Sequence, residues 1–292
     1  MDIYLVDGTY ELYRHFYALP EATDDQGQEI AAARGVVNSV LNMLERGATH
    51  IGVATDHVIE SFRNDLYDGY KTGDGVPPEI MSQITIVEEA LKALGVLVWP
   101  MVEFEADDAL AAAAVKAAAL ENVNQVLICT PDKDLCQCVN GSKIVQLDRR
   151  RDNAIRNEGG VVEKFGVKPQ SIPDYLALVG DTADGYPGLA GWGEKGAATI
   201  LSKYHHLENI PKDFSTWPAL RGASKLAATL FAQWNDALLY RDLATLRLDV
   251  PVFDDIDELK WQGPTDRFEA VCERLKAKNT FKRVQKLHGP VA

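Results

Sequence analysis

The chain has 292 residues, enough for one large domain or two ordinary ones, and with 46% hydrophobic and 25% charged residues it reads as globular, not disordered or fibrous. Thirty Lys and Arg against 43 Asp and Glu give a formal net charge of −13, which excludes a general polycationic surface; a nucleic-acid partner must be held by local charge or by metal. Four cysteines, Cys129, Cys136, Cys138 and Cys272, show no CxxC spacing and exclude a secreted disulfide framework; with neither a signal peptide nor a membrane-spanning run, they point to a reducing, cytoplasmic location.

In chain order, the apolar run from Ile3 to Val6 predicts a buried strand that ends at Asp7-Gly8. Val36, Val37, Val40, Leu41 and Leu44 fall at helical spacing and predict a helix over 31–44. A second strand, Ile51 to Ala54, ends at Thr55-Asp56. The stretch from Tyr70 to Pro78 holds Gly73, Gly75, Pro77 and Pro78 and predicts an exposed loop ahead of a helix over 79–94. Glu105-Ala106-Asp107-Asp108 opens an alanine-rich helix to about residue 121, suited to close packing, and a third strand, Val126 to Cys129, leads into Asp132-Lys133-Asp134. Strands alternating with helices predict an α/β fold with a mostly parallel central sheet, in which ligands gather at the carboxyl ends of strands, where Asp7, Asp56 and the Asp132 segment fall. From about Gly166 the pattern turns helical, with helices expected over 173–179, 194–204, 224–239 and 267–287. The expected organisation is an α/β core over 1–165 and a helical region over 166–292, with no internal repeat.

Taken singly, each acidic motif has an ordinary reading as a helix N-terminus, turn or cap. Together Asp7, Asp56, Glu105, Asp107, Asp108, Asp132, Asp134, Asp181 and Asp184 make nine carboxylates, several at strand ends facing one crevice, and so many anions require cations among them. Oxygen ligands without a matching His or Cys cluster favour Mg²⁺ or Mn²⁺ over zinc; His205-His206 reads as a helix-surface pair. Two such ions about 4 Å apart would activate a water and stabilise the leaving oxygen in an in-line displacement at phosphorus. Setting these nine aside reduces the net charge from −13 to −4, so much of the acidity is the site itself. Between Lys260 and Lys286, eight basic residues face three acidic ones, a local excess of +5 that could contact phosphate or be a solvated helix surface.

Leu5-Val6-Asp7-Gly8 with Tyr13-Arg14, Asp56 with Ser61-Phe62-Arg63 and Gly69-Tyr70-Lys71, Glu105-Ala106-Asp107-Asp108, Thr130-Pro131-Asp132-Lys133-Asp134-Leu135, Gly180-Asp181-Thr182-Ala183-Asp184, Pro187-Gly188 and Gly191-Trp192-Gly193-Glu194-Lys195 follow in this order. This ordered set, spanning nearly the whole chain, resembles the 5′ nuclease family that includes the N-terminal domain of bacterial DNA polymerase I and the flap endonucleases. The resemblance implies a PIN-like 5′ nuclease core with an arch segment over 70–100 and a helix-hairpin-helix in the helical region. It also implies a structure-specific 5′ nuclease, 5′-3′ exonuclease and flap endonuclease, that cuts DNA with 5′ flaps or 5′ ends, and RNA in hybrids, in replication and repair. By position, Asp7, Asp56, Glu105 and Asp107 correspond to one metal's carboxylates and Asp132, Asp134, Asp181 and Asp184 to the other's, with Asp107 or Asp108 between them. Lys71 and Arg63 match basic residues that contact the scissile phosphate. Tyr70 is either a base-stacking residue or a hydrophobic plug, and Arg14 either a phosphate contact or the partner of Glu11. Gly191, Gly193 and Lys195 fall in the DNA-binding hairpin, where relatives also hold a monovalent cation, so K⁺ is expected beside Mg²⁺ or Mn²⁺. The sequence departs from the family at Asp74, where Arg is frequent, at Gly185, where Asn is common, and at Trp192, which replaces a smaller aliphatic residue.

Asp7-Gly8-Thr9 also suggests a haloacid-dehalogenase-like phosphatase, but that chemistry needs a nucleophilic Asp where Leu5 stands. A non-catalytic DNA-binding protein on the same scaffold is the alternative from another class, and the intact carboxylate set argues against it. The expected partners are DNA and no membrane, the expected state is a monomer, and no polymerase region is expected within these 292 residues.

Overall fold

In a computed structural model, residues 1–151 and 153–288 are described. The elements run β1 (Asp2–Asp7), α1 (Gly8–Ala18), α2 (Ala31–Glu45), β2 (His50–Asp56), α3 (Phe62–Leu66), α4 (Pro78–Ala93), β3 (Leu97–Met101), α5 (Ala106–Ala118) and β4 (Gln125–Cys129). They continue β5 (Ile144–Asp148), β6 (Ala154–Arg156), α6 (Glu158–Phe165), α7 (Ile172–Val179), α8 (Glu194–Tyr204), α9 (Ala223–Ala232), α10 (Trp234–Ala244), α11 (Phe268–Arg274) and α12 (Lys278–His288). The chain divides into two compact units: residues 1–59, 73–130 and 248–292 form the first, and residues 60–72 and 131–247 the second.

In the first unit, four strands pair in parallel in the order β3-β2-β1-β4. Ile3, Leu5, Val6, Ile51, Val53 and Val126 are buried, as expected of strands covered on both faces. The small side chains of α5, Ala109 and Ala111 to Ala114, are almost wholly buried, which lets this helix lie close against all four strands. Parallel order brings the carboxyl ends of β1 and β2 together, with Asp7 opposite Ala54, and α5 starts beside them because the Asp56 carboxylate accepts from the Ala106 amide at 2.8 Å.

The second unit holds the antiparallel pair β5-β6 and a helical core around α7, which packs on α8 and α10. Trp192 lies against Trp217 with centroids 6.1 Å apart, and Tyr186 stacks on Tyr240 at 5.7 Å. Two expected long helices are each broken. The stretch 224–239 divides at Gln233 into α9 and α10, and 267–287 divides before Lys278, where Lys276 takes φ 51° and the Ala277 amide turns back to the Cys272 carbonyl. No Gly or Pro marks either break.

Candidate metal centre

The nine acidic residues fall into two groups. Asp7, Asp56, Glu105, Asp107 and Asp108 lie in the first unit, and Asp132, Asp134, Asp181 and Asp184 in the second.

In the first unit the carboxylates are tied to backbone and hydroxyl donors. Asp7 caps α1, accepting from the Tyr10 amide at 2.8 Å with one oxygen and from Thr130 Oγ1 at 3.0 Å with the other. Beside the Asp56–Ala106 bond, the Asp56 amide donates to Thr9 Oγ1 at 2.8 Å. Glu105 and Asp108 form a reciprocal cap of α5, in which Asp108, fully buried, accepts from the Glu105 amide at 3.0 Å. Asp107 is half-buried on the first turn of the same helix. The helix N-termini of α1 and α5 supply partial positive charge to this group.

In the second unit the carboxylates crowd one another. Asp181 and Asp184 stand on a tight turn closed by paired backbone bonds between Asp181 and Tyr186, at 2.8 and 3.0 Å, and the buried Tyr186 ring anchors that turn. Ligand oxygens of Asp134, Asp181 and Asp184 all lie within 4.8 Å of one another. At such a separation each pair of anions repels by about 3.5 kcal/mol at an effective dielectric of about 20, so the cluster needs compensation. Lys133 supplies part of it, with its ammonium in contact with Asp181 Oδ2 and 3.9 Å from Asp134 Oδ1. Lys71 supplies more, 3.0 Å from Asp184 Oδ1.

Lys133 and Lys71 are the ammonium groups that touch this cluster at Asp181 and Asp184. Burial, with Asp132 and Asp184 close by and Lys133 opposing, pushes the Asp134 carboxyl well above the ordinary range. Burial, reinforced by Asp134, Asp181 and Asp184, pushes the Tyr186 phenol up. For Lys133 burial pulls downward, but Asp134, Asp181 and Asp132 outweigh it and hold the ammonium charged. Asp134 Oδ1 is buried and accepts no hydrogen bond. An all-oxygen donor set and a buried carboxylate oxygen that accepts no hydrogen bond fit a hard divalent cation, with Lys133 placed as a substitute cation.

The remaining candidate residues are placed as follows. Arg63 is 1% exposed; its guanidinium donates to the Leu243 and Thr245 carbonyls at 2.8 and 3.2 Å. That burial makes it an internal strut in place of the expected phosphate contact, because the acceptors lie about 180 residues away in sequence, beyond what a local motif conveys. Tyr70 is buried in the helical core, the plug of its two readings. Arg14 donates to Glu11 Oε2 at 2.6 Å, its intramolecular alternative. Gly191 and Gly193 are exposed before α8, with open space where a Gly193 Cβ would stand, and Lys195 is exposed on the first turn. Trp192 turns inward, its indole N–H donating to the Leu226 carbonyl at 3.2 Å.

Gly185 has φ 90°, and a Cβ there would meet the Gly69 carbonyl oxygen at 2.1 Å. Only glycine lets the 69–71 segment approach, where the Lys71 amide bonds the Asp184 carbonyl at 3.0 Å. In the C-terminal basic stretch, Arg274 pairs with Asp24, Lys276 with Asp25 and Arg283 with Glu45, while Lys278, Lys282 and Lys286 remain on the exposed side. Sequence reasoning assigned no role to Lys133; its place between two acids two residues apart was the available signal.

Comparison with known proteins places this geometry in a class. The family description 5′-3′ exonuclease, N-terminal resolvase-like domain, matches residues 2–166, and 5′-3′ exonuclease, C-terminal SAM fold, matches residues 167–267. The fold is thus a PIN-like, resolvase-type α/β core followed by a helical SAM-like region. The 5′-3′ exonuclease of Aquifex aeolicus is 31% identical over 288 residues, covering 98% of this chain and 96% of that protein. Thermostable DNA polymerase I of Thermus aquaticus is 32% identical over 299 residues, covering 99% of this chain. The chain spans 34% of that polymerase and 26% of the Rhizobium leguminosarum DNA polymerase I. The chain belongs to the 5′-3′ exonuclease family. The zinc-bound 5′-exonuclease of bacteriophage T5 shares the fold with a TM-score of 0.68 at 16% identity, covering 98% of each chain. Flap endonuclease-1 from Methanococcus jannaschii does so at 0.62 and 14%, covering 98% of this chain and 91% of that one. Among the described residues, no helix is long and apolar enough to cross a membrane.

Proposed function

We propose that the chain is a structure-specific 5′ nuclease that hydrolyses DNA phosphodiesters at 5′ flaps and 5′ ends, by two-metal-ion chemistry with Mg²⁺ as the working ion. The observation that carries this reading is the convergence of Asp134, Asp181 and Asp184 with a buried oxygen that accepts no hydrogen bond. In this reading Asp132, Asp134, Asp181 and Asp184 hold one ion and Asp7, Asp56, Glu105 and Asp107 the other, with Asp108 fixing the start of α5. When bound, such ions lower the pKa of a water and neutralise charge that develops on phosphoryl oxygens.

The chain's own residues do the rest. Lys71, held by Asp184, offers its ammonium to a non-bridging phosphate oxygen, and Lys133 gives up Asp181 to offer a second. The buried Arg63 and Tyr70 keep the 60–72 segment in place so that Lys71 is aimed and not mobile. Gly191, Gly193 and Lys195, at the open N-terminus of α8, receive the duplex phosphate backbone, with K⁺ as an auxiliary ion. The helical region around α8, within residues 131–247, then holds the duplex. Family membership and the carboxylate geometry support the nuclease assignment; the reading is completed by a monomer working on DNA, and on RNA in hybrids, in the cytoplasm.

The test is cleavage of a 5′-end-labelled and an internally labelled flap duplex with Mg²⁺, with Mn²⁺ and with EDTA. Metal-dependent release of short 5′ fragments near the junction is expected. Retarded migration of the duplex with no cleavage under either ion would overturn the enzymatic reading in favour of a binding protein.

A further inference from the structure

The turn that carries Asp132 and Asp134 is held from behind by a polar brace outside the carboxylate set. Gln146, on β5, is 1% exposed, and its side-chain nitrogen donates to the main-chain carbonyl of Asp132. Its oxygen accepts from Arg156 Nη1 at 2.6 Å and from the Cys136 thiol at 3.0 Å. Arg156 can only donate, so the atom it meets is the amide oxygen, and the amide nitrogen is thereby turned toward Asp132. Antiparallel register sets Gln146 directly opposite Arg156, so the pairing is built into the β5-β6 hairpin. The Asp134 carbonyl is held in a similar way, by Gln137 Nε2 at 2.8 Å. The main-chain carbonyls of both aspartates are thus tied down by glutamines, while the Asp134 side chain faces Asp181 and Asp184.

We propose that Gln146 is a positioning residue for the metal centre, fixing the Asp132 peptide so that the turn presents Asp134 to Asp181 and Asp184. The inference rests on the reading of this cluster as a divalent-cation site. The physical need is specific: carboxylates that repel one another move apart unless their backbones are restrained, and a buried amide bonded on both sides supplies that restraint without adding charge. A methionine at this position has similar length but neither donor nor acceptor.

The experiment is Mn²⁺ binding to the full chain without DNA, read from the electron paramagnetic resonance signal of free Mn²⁺, in the wild type, Gln146→Met, Arg156→Gln and Asp181→Ala. Thermal unfolding establishes that each variant is folded. Gln146→Met is expected to weaken the Asp181-dependent site by about 10- to 100-fold. The half-saturating Mn²⁺ for flap cleavage should rise by a similar factor while the KM for DNA stays the same. Arg156→Gln removes the charged donor from the amide oxygen, leaving it the Cys136 thiol, while keeping Gln146 in place, and should weaken the site by about 3-fold or more; it decides the matter should Gln146→Met fail to fold. Wild-type Mn²⁺ affinity in folded Gln146→Met, or in Arg156→Gln in its stead, overturns the positioning role if Asp181→Ala has lost the site. Unchanged binding in Asp181→Ala overturns the reading of the cluster itself.

Discussion

The two carboxylate groups solve the same electrostatic problem in opposite ways. In the first unit, Asp7, Asp56, Glu105 and Asp108 spend their oxygens on caps and hydroxyls, so they contribute to the fold as it stands. In the second, Asp134, Asp181 and Asp184 are pressed together on a turn and beside another, relieved by Lys133 and Lys71, and Asp134 keeps a buried oxygen bare. The first group is built into helix caps, whereas the second sets carboxylates against one another around two ammonium groups. Acidic residues of similar appearance in sequence are therefore expected to respond to substitution with opposite signs.

The largest effect is expected in the crowded group. Asp181→Ala should lower the single-turnover flap-cleavage rate by about 10³-fold or more at saturating Mg²⁺, since it removes a proposed ligand and the partner of Lys133. A rate within tenfold of wild type would mean that Asp181 is not required for cleavage. Lys71→Ala should slow the same step by about 10- to 100-fold with less effect on duplex binding. A loss seen in duplex affinity alone, measured by fluorescence anisotropy, would instead make Lys71 a simple docking contact.

Stability then separates the groups. Asp7→Ala removes the cap of α1 and the partner of Thr130 and should cost about 1–2 kcal/mol in chemical denaturation. Asp134→Asn should have the reverse sign in metal-free protein at pH 8, raising the thermal midpoint by about 2 °C or more as a buried, repelled charge is removed. A fall in that midpoint would mean the second group is as well satisfied as the first.

The smallest effect comes from a first-unit group that, unlike the acids there, has a bare polar atom. His50 is buried, its Nε2 makes no hydrogen bond, and burial, with Lys260 and the N-terminus adding and Asp257 opposing, lowers its pKa from 6.5. The folded chain therefore takes up fewer protons at His50 than the unfolded chain. Its contribution to stability is intact above about pH 6.5 and is lost as the pH falls below that value. His50→Leu should flatten the pH dependence of the denaturation midpoint below about pH 6.5, and an unchanged slope would assign that dependence to other groups.

What sequence alone determined is the set of strands β1, β2 and β4, the helix α8 to the residue, the parallel α/β order and the identity of the acidic residues. These are local signals: unbroken apolar runs, a 3.6-residue period, and carboxylates at predicted strand ends. β3, which carries Pro100, and the short β5-β6 hairpin gave no comparable signal, and neither did the helix breaks at Gln233 and Lys276, which have no Gly or Pro.

Only the tertiary structure decided which acids are satisfied and which are strained. The deciding partners are distant in the chain: Thr130 for Asp7, Ala106 for Asp56, and Asp181 for Lys133. Arg63 and Tyr70 turned inward for the same reason: Arg63 is tied to carbonyls of Leu243 and Thr245, and Tyr70 is buried in the helical core. A side chain's type fixes what chemistry it can do; which partners reach it, and how much water is excluded around it, are properties of the packed chain.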